Sequence, residues 1–103
     1  IQPIQLINQK PVVLGIGNAV FNSDGEYEQH HSLPFGCIAR IDLAKDLLRL
    51  YPIYTDNLKT FWQPYPVDIE DFSKASTYMT SLLTHENYMA SQDNLGRYVE
   101  IKF

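Results

Sequence analysis

Three groups of side chains in this 103-residue chain are of types that do acid–base, nucleophilic or metal chemistry. His30 and His31 are adjacent, Cys37 follows closely, and His85 lies far downstream. Imidazole and thiolate suit Zn²⁺ or another transition metal. With the carboxylate of Asp24 they suggest one conceivable centre, Asp24/His30/His85, for a small metal-dependent hydrolase. The spacing speaks against it, because adjacent histidines on a strand point to opposite faces and neither H-x-x-x-H nor C-x-x-C occurs. A Cys37–His pair has the form of an activated nucleophile. Cys37, however, falls on an apolar stripe and reads as an inert buried thiol. Asp68, Glu70 and Asp71 could hold a cation, yet carboxylates in a first helical turn are expected for the helix dipole alone. No catalytic, cofactor-binding or metal-ligating residue is assigned, and the reading leans away from an enzyme.

A fourth group could recognise rather than react. Tyr51, Tyr54, Phe61, Trp62 and Tyr65 crowd one short stretch, and Tyr78, His85 and Tyr88 follow at helical spacing. Aromatic rings with a polar tip are enriched at interfaces. These eight residues are the expected interaction surface, with Trp62 as its natural anchor.

Gly15-Ile16-Gly17-Asn18 follows a β-like run. A dinucleotide-binding turn needs G-x-G-x-x-G opening a helix, and here Val20 occupies the third glycine's place. The stretch Val13-Leu14-Gly15-Ile16-Gly17-Asn18, running on to Ser23-Asp24-Gly25, resembles the opening of the hydrogenase maturation proteases. That resemblance implies Asp24 as a metal ligand and a helix downstream. It covers about fifteen residues. Ser23 stands where the family has an acidic residue, residues 26–33 are an insertion, and the chain is shorter than that family's domains. The chain is therefore not assigned to it.

The elements that would position these groups follow from period and turn chemistry. Val12 to His31 reads as two strands joined at Asn22-Ser23-Asp24-Gly25, with Gly25 in the left-handed conformation. Residues 1–9 read as a short edge strand or a disordered lead. Gly15 and Gly17 leave one side bare for a crossing backbone or a bend. Cys37, Ile38, Ile41, Ala44, Leu47, Leu48 and Tyr51 recur every three or four residues, which predicts one continuous helix over 33–50 ended by Pro52. The alternative is a strand at 37–41 followed by a helix capped by Asp42. Residues 52–67 read as a loop or a short strand. Asp68 caps a second predicted helix whose core stripe is Ile69, Phe72, Ala75, Met79, Leu82, Leu83 and Met89. Residues 97–103 alternate as a strand. The expected fold is therefore α+β: a small sheet, made of an N-terminal hairpin plus a C-terminal strand, with two amphipathic helices packed on one face.

The length suits one domain over 1–103. A net charge of −4 with scattered basic residues argues against nucleic acid. No apolar run approaches the roughly 20 residues that cross a bilayer, which argues against the membrane. No basic-then-apolar leader opens the chain, although Ile in first place leaves a removed leader open. The single cysteine fits the cytoplasm. Together these features predict a small acidic interaction domain without a cofactor. It would self-associate as a homodimer, or bind a basic protein partner as inhibitors and immunity-type proteins do.

Overall fold

A computed structural model describes residues 1–19 and 24–103. In chain order the elements are β1 (Ile4–Ile7), β2 (Lys10–Val13), α1 (Glu26–Gln29), β3 (Phe35–Asp42) and β4 (Leu47–Tyr54). They continue with α2 (Asn57–Thr60), β5 (Tyr65–Pro66), α3 (Ile69–Met79), β6 (Tyr88–Asp93) and β7 (Gly96–Lys102). β1 and β2 form a separate hairpin, and the five-stranded antiparallel sheet runs β3-β4-β7-β6 with β5 paired to β4. No helix among the described residues is long and apolar enough to cross a membrane.

The fold is sheet-dominated, 40% strand against 19% helix, which corrects the α+β expectation of two helices on a small sheet. The predicted helix over 33–50 is the β3–β4 hairpin, paired from Phe35↔Tyr54 to Asp42↔Leu47. Its apolar residues satisfied a helical period because β4 is buried on both faces. Leu48 and Leu50 point into the core while Tyr51 and Ile53 are buried on the opposite side. A strand hidden on both faces lacks the polar alternation that identifies it. Asp42 forms the turn by accepting from the Lys45 N–H at 3.2 Å, and Asp46 takes a positive φ of 52°.

Pro52, expected to stop a helix, lies inside β4 at the seam between β7 and β5, which share the edge of β4 away from β3. β4 pairs with β7 through residues 47–50 and with β5 through residues 53–54. The missing N–H of Pro52 therefore costs no ladder bond, and its carbonyl accepts from Val67 at 3.3 Å.

The helix expected after Asp68 is α3, and the Asp68 carboxylate caps it by accepting from the Asp71 N–H at 2.9 Å. It ends at Met79; of the expected stripe Phe72, Ala75 and Met79 are buried in the core, and Leu83, beyond the helix, packs partly buried against it. They pack with Leu48, Leu50, Val99, Ile101 and Ile4. Ile69, Leu82 and Met89 are exposed. The C-terminal strand is β7, as the alternation of its residues predicts.

The expected hairpin across 12–31 does not form. Val12 and Val13 pair back onto β1 through a turn at Asn8-Gln9, both with positive φ. Asn22 and Ser23 lie outside the described residues. Gly25 does take the left-handed conformation, at φ 85°, but as the residue that begins α1. Gly17 meets a crossing backbone. A side chain on it would stand 3.1 Å from the Gly36 Cα, and the Cys37 N–H donates to Ile16 O at 2.7 Å.

Candidate interaction surface

The expected aromatic set divides into three places. Tyr51 is 3% exposed and sits on the outer face of β4, so it presents nothing to a partner. Its ring lies 5.2 Å from that of Tyr98, its hydroxyl donates to Asp93 Oδ2 at 2.9 Å, and Arg49 lies 4.7 Å over the Tyr98 ring. Arg49 also bonds Glu100 at 2.7 Å, which raises the guanidinium's pKa further above its ordinary range. Burial, followed by the Asp93 bond, raises the Tyr51 phenol. For Asp93, burial acts upward but is outweighed by the Leu95 N–H, the Tyr51 hydroxyl and Arg49, so its carboxylate is held low. This constellation is structural glue across three strands. The alternation of Tyr98 and Glu100 in β7 was a signal for it, but only once β4 was known to be its neighbour.

Tyr78, His85 and Tyr88 do not continue one helical face. α3 stops before His85, which lies in the following turn, and Tyr88 opens β6. His85 Nδ1 and the Tyr88 hydroxyl are 3.1 Å apart, with ring centroids at 5.8 Å. Tyr78 lies instead beside Tyr27, His31 and Phe35 around a cleft of about 350 Å³.

Phe61 and Trp62 lie on the α2–β5 connection and Tyr65 opens β5, while Tyr54 ends β4, the strand that β5 pairs with. The short α2 begins at Asp56, whose carboxylate accepts from the Leu58 N–H at 3.1 Å. It ends because Phe61 turns left-handed at φ 51°, and Trp62 follows at φ 66°. A left-handed backbone suits glycine or asparagine, and each bulky residue held there costs on the order of 1–2 kcal/mol. Neither ring recovers that cost by burial, since Phe61 is 76% and Trp62 55% exposed. Leu58 and Tyr65 are exposed beside them in sequence.

A cleft of about 440 Å³ opens between the same elements, lined by Pro34, Tyr54, Tyr65 and Pro66 together with Asp56, Lys59, Asp68 and Asp71. The Tyr54 and Tyr65 rings meet at 5.1 Å. Tyr54 donates to Asp71 Oδ2 at 2.8 Å, and Lys74 donates to Asp71 Oδ1 at 2.8 Å. The Lys74 and Tyr54 bonds hold the Asp71 carboxyl below its usual range, while burial and then the Asp71 bond push the Tyr54 phenol up. The cleft therefore combines two ring faces with three carboxylates against one lining lysine.

Cys37 is buried, and burial pushes its thiol up to about 12, so it lacks the thiolate that a nucleophile or metal ligand needs. His30 ends α1 and His31 follows at positive φ. Among the described residues no three His, Cys, Asp or Glu side chains are grouped as a metal centre. No family model, curated protein or solved structure matches the chain.

Proposed function

We propose that this chain is a binding module that docks a protein partner through the α2–β5 connection. The observation that carries the reading is the pair Phe61 and Trp62, two consecutive aromatics in left-handed backbone with both rings in solvent. Backbone strain persists where the surroundings impose it, and it concentrates at functional sites. Soluble monomers seldom expose several large apolar side chains together unless the patch makes a contact. Trp and Tyr supply most interface hot spots, and a stiff connection loses little entropy on docking.

The chemistry of the adjoining cleft selects the partner. Tyrosine faces attract cations, and Asp56, Asp68 and Asp71 outnumber Lys59. The partner accordingly offers an apolar side chain next to an Arg or Lys. The apolar group meets Phe61 and Trp62, and the cation enters the cleft over the exposed Tyr65 ring, beside the carboxylates. An overall charge of −4 favours encounter with a basic surface.

Selection of binders from a random peptide library on the folded chain tests this reading. Recovered peptides should combine basic and apolar residues, and should lose affinity for Phe61→Ala and Trp62→Ala. Peptides without basic residues, or binding indifferent to both substitutions, would overturn it.

A further inference from the structure

The opposite end of the sheet carries a second, independent surface. β3 is an edge strand, with no strand beyond it among the described residues. The Cys37 N–H points away from β4, because it donates to Ile16 O. Backbone direction alternates along a strand, so Ala39 and Ile41 turn their N–H and C=O groups toward the same open edge. Among the described residues, the segment from Ile16 to Asn18 crosses β3 at Phe35 to Cys37. Beyond it, Ile41 is 60% and Leu43 78% exposed, and Ile38 is exposed on the other face. Natural edges are protected by prolines, like-signed charges or a covering element. The stretch from Ile38 to Leu43 has no proline and no covering element among the described residues, and its two charges, Arg40 and Asp42, are of opposite sign.

We infer that this edge pairs with the β3 edge of a second copy of the chain, antiparallel about a two-fold axis at Ile41. Antiparallel two-fold pairing places residues opposite one another with a fixed sum of numbers. Centred on Ile41, it sets Ile41 against Ile41 and Arg40 against Asp42 of the second copy, all within β3. The Arg40–Asp42 pairing occurs twice by symmetry, which makes the edge complementary to itself in charge. Asp42 is available for it. Its Oδ1 accepts from the Lys45 N–H, while Oδ2 has only an exposed lysine at 3.7 Å, which solvent screens. The neighbouring two-fold register, centred on Arg40, sets Arg40 against Arg40 and drives the segment around Ile16 of one copy into Leu43 of the other. Charge and the covering segment thus choose the same register.

The pairing involves few residues and falls at the weak end of specific interfaces, so the dimer depends on concentration. Two measurements test it on the whole chain. Directly opposed hydrogen-bonded residues have Cα atoms about 5.5 Å apart, within disulfide range. Under copper–phenanthroline oxidation, Ile41→Cys should cross-link into a dimer much faster than Ile38→Cys, whose two copies lie far apart in this register. The buried Cys37 is common to both variants. In sedimentation equilibrium, the wild type should approach dimer mass as concentration rises. Arg40→Glu, which puts like charges against Asp42, should stay monomeric, and Arg40→Glu/Asp42→Asn should recover dimer. Circular dichroism identifies any variant that fails to fold. Equal cross-linking of both cysteine variants, or a wild type monomeric up to millimolar concentration, would overturn the inference.

Discussion

The Tyr51 hydroxyl reaches Asp93 Oδ2 at 2.9 Å and so ties β4 to β6 across the intervening β7. Beside the bond, the Tyr98 ring contacts both the Tyr51 ring, at 5.2 Å, and the Arg49 guanidinium, at 4.7 Å. Three strands are thereby joined on the sheet face opposite α3. Tyr51→Phe keeps the ring contact and removes the hydroxyl's bonds to Asp93 and Arg49, leaving a carboxylate one donor short. Chemical denaturation should show a loss of about 1–2 kcal/mol with an unchanged denaturant slope. A loss near zero would mean that water replaces these bonds at no cost.

Acid should weaken the fold through two carboxylates. Asp71 and Asp93 both have folded pKa values below their ordinary ones. Groups of this kind contribute stability that is fully present above the unfolded carboxylate value, about 4. That contribution is lost as pH falls through the depressed folded value. Melting temperature should therefore decline below about pH 4, and Asp71→Asn and Asp93→Asn should each make the decline shallower. Lys74 shifts upward through its bond to Asp71, so its share persists until the pH rises beyond the ordinary lysine range.

Gly36 is required by close approach rather than by its own φ. A side chain there would run into the Asn18 carbonyl, and would stand 2.8 Å from Thr55 Cγ2. Neither the backbone of a crossing segment nor a buried threonine can retreat cheaply. Gly36→Ala should cost more than about 2 kcal/mol and free the segment that covers the β3 edge at Cys37. Protection of the Cys37 amide against hydrogen exchange, which depends on Ile16 O, should fall with it.

The sequence was readable where one face of an element is wet. β7 alternates, α3 announces itself with the Asp68 cap and the Phe72-Ala75-Met79 stripe, and both were expected. It was misleading where burial is two-sided. In β4 the run Leu47 to Tyr54 contributes to both faces of the sheet, so a helical period fitted as well as a strand's. The β1–β2 turn was hidden for another reason: Asn8-Gln9 adopts positive φ without the glycine that normally signals such a turn. Of the aromatic surface, Phe61, Trp62 and Tyr65 were legible from density alone. Tyr51 was not separable from them, because its removal into the sheet depends on Asp93 and Tyr98, distant in sequence.

The strain at the α2–β5 connection separates stability from binding. Phe61→Gly relieves the left-handed backbone and removes a ring that is mostly in solvent. Thermal unfolding should show unchanged stability or a gain of up to about 1 kcal/mol. The same change should abolish binding of any basic–apolar peptide recovered on the wild type. A loss of 2 kcal/mol or more would return the Phe61 ring to a structural role.

The most direct measurement is the affinity of the best such peptide for wild type against Trp62→Ala, by isothermal calorimetry at low and high salt. Docking through the α2–β5 connection predicts a loss of tenfold or more on truncating Trp62, about 1.4 kcal/mol or greater. It also predicts weaker wild-type binding as salt screens the contribution of Asp56, Asp68 and Asp71. Equal affinity for the two proteins, with binding insensitive to salt, would contradict it.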